Sequence, residues 1–341
     1  MADLCYNVFM GDLVPHVVDT ASQSMDVIDT PFLREFDHAL SNELARLHQN
    51  PFVEEGMRKK VPYAPLALAP QLKTALLSYD LTQMSPDVKW LLDLIERPYL
   101  YQADLTDAPQ FALLDIAKDG ATFLASFRVK DYDRTGHESY TAVDLVMYLD
   151  QHGVIQTCPV VKKAIIAGGD SAPGGLARAT KKRLANAEML KEIGIPTIHF
   201  HGDEVDGAVV YEKLYLNDKA SVLESMKRDP VLAEQYLPEL IDIAHKLDSH
   251  GYGILGFISD LIHDPVTNTF VYLDTGSDLG QPGSVNDGSR PGLKELIRTF
   301  PQNADFITKL YEEKGAVSAE QARVNSTLKD TLHGGESIAA L

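Results

Sequence analysis

A hairpin pattern with an acidic residue at each end constrains the second half of this 341-residue chain more than any other feature. Residues 260–276 read DLIHDPVTNTFVYLDTG, in which two apolar runs flank a turn that begins at Asp264 and Pro265. Such a pattern predicts two antiparallel strands. Asp260 and Asp274 stand at the outer ends of the two runs. Because a hairpin brings its outer ends together and Mg²⁺ prefers oxygen ligands, the pattern is consistent with a metal clamp or with a surface hairpin that has acidic ends.

Composition excludes several classes of protein. The formal net charge is −18 and the sequence pI is near 4.9, so the surface repels phosphate backbones and anionic lipid. We therefore expect no nucleic-acid partner. The sequence contains no 18-residue apolar run and no basic segment followed by an apolar one at its start, which predicts no membrane span and no classical signal peptide. Two cysteines, Cys5 and Cys158, provide no disulfide framework and favour a reducing compartment such as the cytoplasm.

The hydrophobic spacing changes near residue 105. Before it, apolar residues recur at three- and four-residue intervals, as in residues 29–50, and predict helices. After it, short apolar runs predict strands that alternate with helices. Residues 111–129 suggest a hairpin that turns at Asp119 and Gly120, and residues 140–153 fit a helix or a strand equally well. The chain is therefore predicted to be an α+β protein.

Further elements follow in a fixed order. A β-rich run, CPVVKKAIIA, precedes a glycine-rich loop and a helix from about Leu176 to Ile193. Residues 197–214 predict two strands, residues 236–253 an amphipathic helix, and the acidic hairpin comes next. The basic residues Arg178, Lys181, Lys182 and Arg183 are interpreted as a solvent-facing side of the first of these helices.

This order resembles the protein-kinase-like fold, and the resemblance rests on four short motifs. These are Lys162 in PVVKKAII, Glu188 in LANAEMLKEIGIP, the strand AVVYEKL at residues 208–214, and Asp274-Thr275-Gly276 in place of the D-F-G metal motif. The resemblance implies a bilobal fold with a helical N-terminal extension at 1–105, an N-lobe at 106–216 and a reduced C-lobe at 217–341. Small C-lobes and extra helical regions are also typical of kinase-like effectors that bacterial pathogens secrete.

The resemblance also implies an ATP and Mg²⁺ site. Lys162 would contact the phosphates and Glu188 would position Lys162. Backbone groups of Glu212, Lys213 and Leu214 would meet the adenine ring. Asp260 and Asp274 would hold Mg²⁺, with Asp260 in place of the usual asparagine, because Asp260 lies 14 positions before Asp274.

The same alignment places Leu255 where the catalytic base of a kinase stands. Leucine cannot accept a proton. Asp248, His250 and His263 are the nearest residues that could replace the base, although none has the expected spacing.

The sequence therefore predicts an ATP- and Mg²⁺-dependent transferase that modifies a protein substrate by phosphoryl or AMP transfer. It would act in the cytoplasm or after delivery into a host cell. The alternative is a catalytically inactive pseudokinase that serves as a protein-interaction module.

Two other motifs are weaker. GGDSAPGG at residues 168–175 is similar to a phosphofructokinase segment that cradles phosphate at a helix start, but it also fits a flexible connection. Cys158 lies in an apolar strand, and the sequence does not suggest a histidine partner for it.

Overall fold

We describe a computed structural model of the chain. The residues that the structure describes are 28–50, 52–54, 64–80, 82, 84–96, 111, 114–135, 139–166, 173–202, 209–215, 221–252, 257–276 and 290–317. The chain divides into two compact units. Unit 1 contains Met1–Ala164 and Phe200–Leu214, and unit 2 contains Ile165–His199 and Tyr215–Leu341. The fold is α+β, as predicted.

Unit 1 is built on a five-stranded sheet whose strands lie in sequence order. The strands are β1 (Ala64–Leu68), β2 (Thr122–Thr135), β3 (Ser139–Leu149), β4 (Ile155–Ile165) and β5 (Val209–Lys213). The pairs β1–β2, β2–β3 and β4–β5 are antiparallel. The helices with assigned bounds in the described part of this unit are α1 (Thr30–Leu47), α2 (Pro70–Ser78), α3 (Pro86–Glu96) and α4 (Asp115–Lys118).

The first helix confirms the predicted amphipathic pattern. Asp29 caps α1, because its carboxylate accepts a hydrogen bond from the Phe32 N–H at 3.0 Å. The buried stripe recurs every three or four residues and comprises Leu33, Phe36, Leu40, Leu44 and Leu47. This stripe attaches α1 to the core of unit 1.

Residues 140–149, which fit a helix or a strand by sequence, belong to β3. Seven consecutive residues from Thr141 to Met147 are buried. A central strand covered on both faces loses the polar alternation that identifies a half-exposed strand. The ambiguity in the sequence thus has a physical cause.

The predicted hairpin around Asp119 and Gly120 is wrong. Residues Asp115–Lys118 form the short helix α4, and β2 begins only at Thr122. Gly120 ends the helix with φ at +80°, a conformation that glycine adopts without strain. The hairpin partner of β2 is β3 instead.

Unit 2 is largely helical. Its elements are α5 (Gly175–Glu192), α6 (Ser221–Arg228), α7 (Pro230–Ser249), a 3₁₀ turn (Phe257–Asp260), β6 (Leu261–Asp264), β7 (Thr269–Tyr272), α8 (Pro291–Thr299), a 3₁₀ turn (Pro301–Asn303) and a helix α9 over 304–317. The helices and the acidic hairpin that the sequence predicted here are confirmed. The core of the unit gathers apolar residues of α7 with residues from the hairpin and α8, among them Leu240, Ile241, Phe270, Tyr272 and Leu296.

The strand predicted to begin at Thr197 is reduced to isolated bridges. Thr197 pairs with Tyr272 in unit 2, and Phe200 pairs with Glu212 in unit 1. Ile198 N–H donates to the Tyr272 carbonyl at 2.8 Å.

Among the helices that the structure describes, none is both long and apolar enough to cross a bilayer.

Asp248, at the end of α7, anchors two other helices. Its carboxylate accepts hydrogen bonds from Gly292 N–H at 2.9 Å and Leu293 N–H at 3.2 Å, which are otherwise unsatisfied donors in the first turn of α8. It also accepts a 2.6 Å hydrogen bond from the Tyr311 hydroxyl on α9. Burial, followed by the neighbouring Asp248 carboxylate, raises the pKa of Tyr311 and keeps it a donor.

We predict that Asp248→Ala lowers the free energy of unfolding by roughly 2–4 kcal/mol, because it removes a cap and leaves the Tyr311 hydroxyl unsatisfied. Urea denaturation would measure the change. Glu312→Ala, which removes an exposed carboxylate of α9, is the control and should change stability by less than about 0.5 kcal/mol. Equal effects of the two substitutions would contradict this role for Asp248.

Candidate functional site: the acidic hairpin of unit 2

The β6–β7 hairpin brings Asp260 and Asp274 to its open end. The strands pair from Leu261↔Tyr272 to Asp264↔Thr269. One step further out, the Leu273 N–H donates to the Asp260 carbonyl at 2.8 Å. Asp260 is therefore opposite Leu273, and Asp274 is the next residue along the chain.

Neighbouring polar groups hold the Asp260 side chain. Its Oδ1 accepts a hydrogen bond from the Ser259 hydroxyl at 3.3 Å, and its Oδ2 lies 3.5 Å from the buried Tyr272 hydroxyl. Asp260 is half-buried, and its carboxylate offers oxygen ligands of the kind that Mg²⁺ prefers.

The Asp274 carboxylate organises the turn that follows β7. Its Oδ1 accepts the Gly276 N–H at 3.0 Å, which closes an Asx turn over the fully buried Thr275. The same oxygen lies 3.1 Å from the Nη2 of Arg183 on α5. The Arg183 side chain is only 5% exposed, whereas that of Asp274 is 39% exposed. The aspartate thus faces solvent on one side and a buried guanidinium on the other.

Helix α5 is attached to this turn by a second residue, Asn186. Its side-chain amide donates to the carbonyls of Thr275 at 2.9 Å and Gly276 at 3.1 Å. Arg183 and Asn186 are three residues apart and therefore share one face of the helix. That face, with the buried Leu190, packs on the Asp274 turn.

Glu188 lies on a different face of α5. Its side chain is 67% exposed and forms an ion pair with Lys191 at 2.5 Å, one turn along the same helix. The role predicted for Glu188, positioning Lys162, stays a prediction.

Lys162 belongs to β4 in unit 1, where it is half-buried and its Nζ lies 5.9 Å from the centre of the Tyr211 ring. The next residue, Lys163, points to the other face of the strand, with its Nζ 3.8 Å from the buried carboxylate of Glu212. The predicted adenine contacts are backbone groups of Glu212, Lys213 and Leu214, and they stay a prediction. Lys213 is half-buried and Leu214 is buried.

The three residues considered as replacements for the catalytic base all have structural contacts. Asp248 caps α8 as described above. The Nδ1 of His250 lies 2.8 Å from the Lys246 carbonyl at the end of α7. His263 is buried, with its ring edge-on to those of Tyr236 and Phe270. Leu255 and residues 167–172 of the glycine-rich loop lie outside the described residues.

Sequence reasoning missed Arg183 as part of this site. The interpretation of its basic run as solvent-facing holds for Arg178, Lys181 and Lys182, which are exposed, but is wrong for Arg183. The available signal was helical spacing. Asn186 follows Arg183 by three residues, and Leu190 follows Asn186 by four, so all three lie on one face of the helix. The apolar side chain of Leu190 marks that face as the inward one.

Comparisons with known proteins add no relative to this description. No protein-family model matches the chain, and no curated protein sequence matches it either.

We predict that Asn186→Asp lowers the free energy of unfolding by about 2–4 kcal/mol. The substitution replaces a donor with a carboxylate that must face the Thr275 and Gly276 carbonyls while buried. Glu188→Gln on the same helix serves as the control and should cost less than about 0.5 kcal/mol, since surface ion pairs contribute little. Urea denaturation followed by circular dichroism would measure both, and an unchanged midpoint for Asn186→Asp would refute the contact.

Proposed function

We propose that the protein is an ATP- and Mg²⁺-dependent transferase of the kinase-like type, which modifies a protein substrate by phosphoryl or AMP transfer. The observation that supports this proposal best is the position of Asp260 and Asp274. Both aspartates stand at the open end of one hairpin, and a buried helix face holds the turn that carries the second of them.

The donor chemistry of the hairpin suits Mg²⁺. Asp260 and Asp274 offer oxygen ligands only, which is what a hard divalent cation prefers. Asp274 is 39% exposed, so solvent or a nucleotide phosphate can reach it. Bound Mg²⁺ would neutralise phosphate oxygens during transfer.

Arg183 modifies how such a site would work. Its guanidinium stabilises the ionised form of Asp274 in the absence of a cation. A metal bound to Asp274 must share the carboxylate with this guanidinium, which weakens the attraction of the site for a divalent ion. We therefore expect Mg²⁺ to bind together with a nucleotide, whose phosphates add negative charge and further oxygen ligands.

In unit 1, Lys162 remains the proposed phosphate contact, and backbone groups of Glu212, Lys213 and Leu214 remain the proposed adenine contacts. Glu188 keeps its proposed role of positioning Lys162 only if it exchanges its surface ion pair with Lys191 for one with Lys162. Exchanging such a pair costs little.

The second candidate function is a pseudokinase that binds a protein partner without catalysis. Two observations favour it. Arg183 supplies a built-in positive charge at Asp274, and Asp248, His250 and His263 are engaged in structural contacts. A base contributes only part of the acceleration of group transfer, so a slow transferase is compatible with both observations.

Thermal denaturation with nucleotide provides the first test. ATP at about 100 times its dissociation constant should stabilise the protein by about 2.7 kcal/mol, a shift on the order of 5 °C. The shift should require Mg²⁺ and should be lost in Asp274→Asn, Asp260→Asn and Lys162→Ala. Glu312→Gln, at an exposed carboxylate of α9, should retain it. If neither ATP nor ADP with Mg²⁺ raises the melting temperature, the proposed transferase is wrong, and the candidate that binds a protein partner without catalysis is favoured.

ATP labelled at the γ- or the α-phosphate then distinguishes the reactions. Label transferred to protein only from the γ-position indicates phosphorylation, and label transferred only from the α-position indicates AMP transfer. Magnesium-dependent binding with neither transfer, including to the protein itself, would favour the pseudokinase.

A further inference from the structure

A cysteine, a histidine and an aspartate from three separate parts of unit 1 lie in a row. Cys158 Sγ, on β4, is 3.7 Å from the Nε2 of His201. The other ring nitrogen of His201, Nδ1, is 3.0 Å from Oδ1 of Asp115, the first residue of α4. The expectation that Cys158 has no histidine partner is therefore wrong.

The fold holds the histidine firmly between its two partners. The backbone N–H of His201 donates to the Tyr211 carbonyl of β5 at 2.8 Å, one residue after the bridge from Phe200 to Glu212. The His201 side chain is only 9% exposed. Since β4 pairs with β5, this short segment is fixed beside the strand pair that carries the cysteine.

The two contacts select one tautomer of neutral His201. A proton on Nδ1 lets the ring donate to the Asp115 carboxylate and leaves the Nε2 lone pair to accept from the Cys158 thiol. The opposite tautomer would direct a lone pair at a carboxylate oxygen, which is repulsive. A nucleophile within reach of a base, with the base oriented by a third group, is the arrangement that activates nucleophiles in proteins.

The charge state of Cys158 requires such a base. Burial raises the pKa of the Cys158 thiol to about 12, and the negative charges of Asp115 and Glu43 act in the same direction while Lys213 opposes them. The tyrosine that shares this environment, Tyr148, also has its pKa raised, mainly by burial. The resting group is consequently a thiol, which reacts only if its proton leaves as it attacks.

We propose that Cys158, His201 and Asp115 form a nucleophilic site that accepts an apolar acyl group from a thioester. In the reaction, Sγ forms a bond to the acyl carbon, and the bond from that carbon to the sulfur of the donor breaks. The proton of Cys158 passes to His201 Nε2 and then to the departing thiolate. The products are an S-acylated Cys158 and a free thiol, so no oxidant or reductant is needed.

The surroundings of Cys158 favour an apolar acyl group. The half-buried cysteine packs against a buried apolar cluster that contains Phe111, and the partly buried Phe123 and Tyr148 pack against the same cluster. The ring of Phe111 lies 5.4 Å from that of Phe123 and 6.4 Å from that of Tyr148, measured between centres. A hydrocarbon chain attached to Sγ would be stabilised by contact with such rings.

Alkylation by iodoacetamide tests the base. The background variant is Cys5→Ser, in which Cys158 is the only thiol. An unassisted thiol of this pKa reacts about tenfold faster for each pH unit up to pH ~12. Assistance by an imidazole, which ordinarily titrates near ~6.5, should instead give a rate that levels off above about pH 8. A rate that rises tenfold per unit from pH 6 to pH 10 would overturn the proposal.

Substitutions identify the groups responsible. His201→Gln should slow alkylation at pH 7.5 by about 10²-fold or more and should restore the steep pH profile. Asp115→Asn should slow it less, because it disturbs only the tautomer and orientation of the ring. Asp119→Asn, at an exposed carboxylate four residues further along, is the matched control and should react like the background. If His201→Gln reacts as fast as the background at pH 7.5, His201 is not the base.

The acyl donor is tested with S-phenyl thiobutyrate and intact-mass measurement. We expect one butyryl group per chain in the background variant and none after Cys158→Ser. The pH profile of the background protein needs no further substitution, so it decides the proposal even if a variant misfolds. Absence of butyrylation at Cys158 would overturn the assignment to thioesters.

Discussion

The attachment of α5 to the Asp274 turn is the interaction on which the candidate metal site depends. Arg183 and Asn186 reach the turn from one helix face, and together they neutralise its carboxylate and satisfy two of its carbonyls. Without them, the turn would have buried acceptors without donors, which costs a few kcal/mol per group. The helix therefore determines the position of the second acid of the hairpin.

This attachment is compatible with two functions, which differ in whether Arg183 shares Asp274 with an approaching cation or retains it. If the guanidinium shares Asp274 with Mg²⁺ and phosphate, the site is suited to a nucleotide–metal complex, not to the metal alone. If it retains Asp274, the hairpin is a structural element of a binding protein. The two candidate functions differ in this respect, whereas the hairpin geometry is common to both.

The row formed by Cys158, His201 and Asp115 is independent of that choice. Its residues belong to unit 1, and its geometry needs neither a nucleotide nor a metal. Burial suppresses the thiolate and at the same time makes an oriented imidazole the natural route for the proton. Any reactivity of this thiol near neutral pH would be diagnostic of the base.

The sequence by itself determined the elements with strong local signals. The apolar stripe of α1, the helix predicted from about Leu176 to Ile193, and the hairpin that carries Asp260 and Asp274 follow from periodicity and turn residues. Tertiary structure decided which polar residues meet. Arg183 is inward because α5 packs on a turn 91 residues away in the chain, and Cys158 meets His201 across a separation of 43 residues. Local spacing can indicate that Arg183 lies on the inward face of its helix, but it does not identify the residue that this face contacts, because long-range contacts arise only when the strands and helices pack.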